Sequence, residues 1–237
     1  MMGRNHVLVG MAGWLVAAPP LAAAFGDPLT AGEIAAGTLL CGGTALLPDI
    51  DHPNSTFAHT LGPITQGLCS FVGAISGGHR QKTHTLVFAA LMGVGAYFLL
   101  QLGWWAVFGL FFLCGSWALR LLGPTKIKYA LFGVGIPVIA GGLAWYIADT
   151  FEPQWWMVWA VVGGSIMHLA GDIVTKGGVP LLWPLPGRIS LGMMQTNGVI
   201  EQVLTPVLSV LILWLGWTYV GGDITAWFDG LRASVTA

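Results

Sequence analysis

Charge is scarce in this sequence. Asp, Glu, Lys and Arg make up only 8% of its 237 residues, about a third of the roughly 25% found in soluble domains. That excludes a well-solvated globular surface. It also excludes intrinsic disorder, which needs low hydrophobicity together with high charge. The formal net charge is −1, so the basic surface that holds nucleic acid is missing and no nucleic-acid partner is expected. Cysteine is nearly absent as well. Cys41, Cys69 and Cys114 form an odd set without metal-ligand spacing, which argues against a disulfide framework. What is plentiful is apolar: 55% hydrophobic residues and twelve tryptophans, with a mean hydropathy of +0.76. The solvent for such a chain is a lipid bilayer.

A crossing helix needs about 20 mostly apolar residues. Seven segments approach that standard: 7–25, 31–47, 85–101, 104–122, 129–148, 155–175 and 200–221. The expected fold is therefore an all-α, polytopic membrane helical bundle of about seven helices, forming a single domain over 1–237. Segment 31–47 is short and rich in Gly and Thr, which suits close helix packing. Segment 64–76 is apolar but too short to cross and reads as an interfacial or re-entrant piece. Residues 177–199, with three prolines and five glycines, read as an irregular interfacial loop. The tryptophans at 104–105, 155–156 and 183 read as interface anchors. Arg4 followed by an apolar run ending in LAAAFG has the outline of a signal peptide. Pro19-Pro20 interrupt that run and cleavage would remove His6, so a retained first helix is the preferred reading.

Seven crossings sort the loops onto two sides. Arg4, Arg80, Lys82, Arg120, Lys126, Lys128, Lys176 and Arg188, eight of the nine basic residues, fall on the side of the N-terminus. Arg232 lies opposite with Asp27, Glu33, Asp149, Glu152, Asp223 and Asp229. Lys and Arg concentrate in cytoplasmic loops, so the N-terminus is expected inside and the C-terminus outside.

All six histidines map to that cytoplasmic side, with Asp49, Asp51, Asp172 and Glu201. In Pro48-Asp49-Ile50-Asp51-His52, two carboxylates and an imidazole follow a helix end. Such donors suit Zn²⁺, Mn²⁺ or Fe²⁺, although Asp at a helix end also serves simply as a turn former. His79-Arg80-Gln81-Lys82-Thr83-His84 places two histidines before the third span. It also reads as an ordinary basic flanking loop in which Thr83 or His84 caps the helix. His168 and Asp172 are spaced i, i+4 and share one face of an otherwise apolar helix. Ionisable groups there are expensive and usually face a partner or a site, although the two could equally form a structural pair. His6 opens the first helix, where it could join the cluster or sit at the surface; His59 has no near partner and reads as a loop residue. Glu201 opens the last helix, where a carboxylate complements the N-terminal dipole as readily as it serves chemistry. Three sequence-distant, metal-compatible motifs on one membrane face point to a metal site.

At these residues the sequence resembles the YdjM-like family, a bacterial group described as LexA-binding, inner-membrane-associated, metal-dependent hydrolases. The resemblance rests on NHVLVG (5–10), LLPDIDHPNS (46–55), GHRQKTH (78–84) and HLAGDIVTKGGVPLLWP (168–184). It implies a multi-pass inner-membrane protein whose metal residues are His6, Asp49, Asp51, His52, His79, His84, His168 and Asp172. The NGVIE stretch ending in Glu201 is similar to a Gly-x-x-Glu feature of the family. Asn5 stands where the family usually has Thr, and Thr85 where it usually has Ser.

So many donors exceed the three or four protein ligands of a single catalytic zinc, which suggests two divalent metals, or one with a hydrogen-bonded surround. The leading expectation is metal-assisted hydrolysis of a phosphoester or similar bond in a lipid or amphiphilic substrate. In it Asp51 and Asp172 act as ligands, one of them bridging, while Arg80 and Lys82 neutralise a phosphate. The rivals are a divalent-ion or proton transporter, which would need polar groups across the bilayer, and a metal-containing scaffold with a cytoplasmic regulatory partner.

Overall fold

The computed structural model describes residues 1–60, 62–123 and 135–236, with side chains described through Ala226. Lys126, Lys128, the first residues of segment 129–148, and the side chains of Asp229 and Arg232 therefore lie outside the described residues. The chain forms helices α1 (Gly3–Phe25), α2 (Ala31–Thr44), α3 (Pro63–Ser76), α4 (Leu86–Leu100), α5 (Trp104–Leu122), α6 (Gly135–Thr150), α7 (Trp155–Val174) and α8 (Val199–Thr236), with a 3-10 turn over Leu47–Asp51. Two isolated β-bridges, Thr175 with Met194 and Val179 with Ile189, tie the otherwise irregular 177–199 loop. The all-helical expectation therefore holds among the described residues. By length and composition α1, α5, α7 and α8 (over Val199–Ala226) can each cross a membrane, and α4 is a shorter apolar helix.

Local sequence explains most boundaries. Thr30 and Glu33 start α2 with a reciprocal capping box: the Glu33 amide donates to Thr30 Oγ1, and the Thr30 amide to Glu33 Oε2. Pro63 opens α3, where its missing N–H is not needed. α4 is capped by Thr85, whose hydroxyl accepts from the Phe88 amide, and not by Thr83 or His84. Pro19-Pro20 do not end α1, which runs on to Phe25, because packed membrane helices tolerate proline. The last helix extends well past the expected end at 221.

α1, α2, α4, α5, α6, α7 and α8 alternate in direction. At one end Phe25, the last residue of α1, and Asp27 just beyond it meet Trp155 at the start of α7, and Trp104 of α5 meets Trp145 of α6. The other end gathers the starts of α1, α4 and α8 with the ends of α2, α5 and α7. Between them lies an apolar core that includes Val7, Trp14, Leu40, Val107, Phe111 and Trp156. Trp156 is thus core rather than an interface anchor, with its indole N–H donating to Gln154 Oε1. α3 does not cross. It lies against the 3-10 turn, with the Cβ position of Gly73 2.7 Å from Asp51 O. Its exposed stripe of Ile64, Leu68, Phe71 and Ile75 has the helical spacing of an interfacial amphipathic helix.

Candidate metal centre

Four helix ends build the cluster. The 3-10 turn Leu47–Asp51, with Pro48 in its first turn, follows shortly after α2 and delivers Asp49 and Asp51. The loop before α4 delivers His79, Arg80 and His84, α7 delivers His168 and Asp172, and α1 delivers His6. α7 comes close enough because residue 164 is Gly. A Cβ there would strike Thr44 Oγ1 and stand 2.5 Å from Cys41 O and 2.8 Å from Ala45 N. One turn later, His168 Nδ1–H donates to Ala45 O at 2.7 Å, which leaves the Nε2 lone pair facing inward.

His84 is fixed in the same sense. Thr83 Oγ1 donates to Asp51 Oδ2 at 2.5 Å, so its oxygen is left to accept from His84 Nδ1–H at 3.0 Å. His84 Nε2 then meets His168 Nε2 at 3.1 Å. Two lone pairs so placed repel unless a proton or a cation lies between them. Around them stand Asp49 Oδ1, 3.6 Å from His84 Nε2 and 3.7 Å from His168 Nε2, and Asp172 Oδ2, 3.7 Å from both. Asp172 Oδ2 is buried without a hydrogen-bond partner, an arrangement that ordinarily costs a carboxylate heavily. Tetrahedral Zn²⁺ with ligands at about 2.05 Å has donors about 3.4 Å apart, so either carboxylate oxygen together with the two Nε2 atoms has spacing that fits a divalent ion.

Neighbouring groups orient this set. Asp172 Oδ1 accepts from Arg80 Nη2 at 2.9 Å and from the Met1 ammonium. Arg80 Nη1 donates to Thr175 Oγ1, and Arg188 Nη1 holds the Arg80 carbonyl. Asp51 accepts from His79 Nδ1–H at 2.9 Å, from the Arg80 amide and from Thr83. Meeting the carboxylate with its amide accompanies a left-handed backbone at Arg80, φ 59°. Burial works to raise the Asp49 carboxyl, but His168, His84 and His6 outweigh it and hold it below the usual carboxylate range. Burial likewise opposes ionisation of Asp51, and hydrogen bonds from His79, His84 and Thr83 again win. For His84, burial favours the neutral ring, but Asp49 and Asp51 pull the net shift upward. His6 lies flat on His168, ring centres 3.7 Å apart, with Nε2 3.5 Å from Asp172 Oδ1 and Nδ1 buried without a partner.

Three donor groups compatible with a metal emerge among the described residues: His84, His168 and Asp172; His6, Asp49 and His168; and Asp49, His79 and His84. Asp51 and His52 belong to none of them. Asp51 stands behind the histidines with both oxygens hydrogen-bonded, while His52 accepts from the Asn54 amide and packs edge-on against His79. Glu201 ties α8 to the start of α1, accepting from the Met2 and Asn197 amides and from Asn5 Nδ2. Lys82 points elsewhere, donating to Ile75 O and lying over the Trp183 ring. His59 sits in its loop beside Gln66. Thr83, Thr175, Arg188 and Gly164 were not anticipated as site residues. Gly164, four residues before His168, was the legible signal among them.

A cavity of about 230 Å³ opens onto the cluster, lined by Asp49, His52, His79 and Arg80. The His79 side chain is 37% exposed into solvent-accessible space, and that of Arg80 is 18% exposed.

A family model described as YdjM inner membrane protein matches residues 1–123 and 131–227. Two curated relatives, inner membrane protein YdjM of Escherichia coli (strain K12) and inner membrane protein YdjM of Shigella flexneri, are each 27% identical over 187 residues. The aligned region covers 78% of this chain and 68% of each relative. No solved structure matches.

Proposed function

The chain belongs to the YdjM inner membrane protein family, and from that premise we propose that it is a membrane-bound, metal-dependent hydrolase of phosphoester or similar bonds. The observation that carries this reading is the pair of Nε2 atoms 3.1 Å apart, each fixed in orientation by a hydrogen bond at Nδ1, beside the orphaned Asp172 Oδ2. His84, His168, Asp49 and Asp172 would hold the ion. Mixed imidazole and carboxylate donors suit Zn²⁺, Mn²⁺ or Fe²⁺. Asp49, His84 and His168 each stand in two of the donor groups, and a second ion would share Asp49, the only carboxylate of the three; that sharing role was expected of Asp51 or Asp172. Bound there, the metal supplies Lewis-acid polarisation and acidifies water.

The chain's own residues divide the remaining work. Arg80 places a fixed positive charge at the cavity, where an anionic ester would be neutralised. His79 donates from Nδ1 to Asp51, so its Nε2 is free to take or give a proton in the cavity. Asp51 acts by orienting that ring, as the carboxylate does in a nucleophile–histidine–carboxylate arrangement. Among the described residues the core beneath the cluster is built mainly of apolar side chains such as Trp14, Leu40, Val107, Phe111 and Trp156, which weighs against the transporter reading. The site-bearing end carries Arg4, Arg80, Lys82, Arg120, Lys176 and Arg188, which by the positive-inside rule supports a cytoplasmic site.

The test begins with metal content of the full chain purified in detergent. Bound Zn, Mn or Fe should be lost in His168→Ala and retained in His79→Ala. Turnover of a water-soluble aryl phosphate should fall about 10²–10⁴-fold in His79→Ala. A wild type that neither carries nor binds these metals refutes the reading, as does turnover unchanged by His79→Ala.

A further inference from the structure

The cavity at the cluster is the first of three in a row. It shares Gly3 and Leu121 with a second cavity of about 520 Å³ that also meets Arg4, Glu201 and Thr205. That one shares Arg4 and Thr205 with a third, of about 470 Å³, lined by Leu8, Met11, Ile212 and Leu213 between α1 and α8. The lining turns from polar to apolar along the row. At its polar end sit the Asp49 carboxylate, His79 and Arg80, and at its apolar end Leu8, Met11, Ile212 and Leu213 surround Ser209. Gly3, which has no side chain, lines both of the first two cavities, and the position of a Cβ there lies 3.5 Å from Leu121.

Arg4 marks the transition. Its Nε donates to Leu121 O at 3.3 Å, and its terminal nitrogens meet no carboxylate among the described residues. Such a guanidinium, on a long stem at the membrane-facing start of a helix, offers a bidentate partner to an anionic head. Below it, α1 descends seven residues to Met11 and α8 descends twelve from Glu201 to Leu213. These are drops of about 10 Å and 18 Å at 1.5 Å per residue. One leaflet of hydrocarbon is about 15 Å deep. The outer wall, carrying Val207, Val210, Leu213 and Trp214, is exposed, so the groove opens sideways to the bilayer rather than to water.

Resting on the hydrolase reading, we propose that the groove between α1 and α8 is the chain-binding subsite of this centre, and that its substrate is a membrane amphiphile with a phosphorylated head and a long apolar chain. The head would reach the cluster past Gly3, Arg4 would neutralise charge at the level of the interface, and the chain would enter from the bilayer along Leu8, Met11 and Ile212.

The probe is a long-chain alkyl phosphate carrying a photoreactive diazirine near the chain end, applied to the full-length protein in detergent and mapped by mass spectrometry. Labelling should concentrate at Leu8–Met11 and Ile212–Leu213. Ser209→Phe, which fills the groove, should cut labelling at least tenfold, and Arg4→Gln should reduce, with Arg80 still in place, the preference for the phosphate over the matching alcohol. Metal content measured on the same samples should be unchanged, which shows that the variants are folded. Labelling spread evenly over Val210, Trp214 and Trp217, or unaffected by Ser209→Phe, overturns the subsite. Groove labelling without any turnover supports the subsite and refutes the hydrolase reading. Turnover of a short-chain ester without groove labelling does the reverse.

Discussion

Gly164→Ala tests whether backbone packing places the metal ligands. The new Cβ would stand 2.5 Å from Cys41 O and 2.8 Å from Ala45 N, whereas comfortable contact begins near 3.5 Å. α7 and the end of α2 must therefore separate by about 1 Å. The His168 Nδ1 to Ala45 O bond, now 2.7 Å, would stretch beyond hydrogen-bonding range. Overpacking of this kind costs about 1–3 kcal/mol of stability. Losing the partner that orients a ligating histidine costs about 10–100-fold in metal affinity. The matched control is Gly95→Ala in α4, where an added Cβ meets nothing within 4 Å. Zn²⁺ affinity of detergent-purified protein would be measured by competition with a chelating dye, with helicity checked by circular dichroism. Equal affinities for the wild type and Gly164→Ala, with helicity intact, would refute the claim that this close approach sets the site.

Protons should compete with the metal at His84. Asp49 and Asp51 raise its affinity for a proton despite burial, so metal occupancy should fall as pH drops through that raised value and recover above it. Metal-free protein should show the opposite trend in thermal stability, losing His84's contribution as pH rises through the same value; a titration in which both curves move together would contradict this. Thr83→Val removes the hydroxyl between Asp51 and His84 and should weaken metal binding about 10–100-fold. Lys82→Ala should leave metal binding unchanged, because Lys82 Nζ is spent on Ile75 O; dye competition on both variants decides, and the reverse ranking would be fatal to the assignment.

The membrane class followed from composition alone, because a chain with so little charge cannot solvate a globular surface. That the metal-compatible residues share one end of the bundle was also legible. Loop placement put every histidine on one side, and helical periodicity set His168 and Asp172 on one stripe, which is a local property of α7. The division of labour among the donors was not legible. Asp49 and Asp51 are two residues apart in one turn, yet Asp49 faces both Nε2 atoms while Asp51 is consumed by His79, Arg80 and Thr83. Lys82 and Arg80 are equally near in sequence, and only Arg80 turns inward. Glu201 proved to be a tie between helices. Sequence determined which chemical groups were available and that they gather at one end of the bundle. Tertiary structure decided which atoms converge, because which ring nitrogen is left free depends on partners far along the chain. The tautomer of His168 is set by a carbonyl 123 residues away, brought within reach by helices that only a glycine allows to touch.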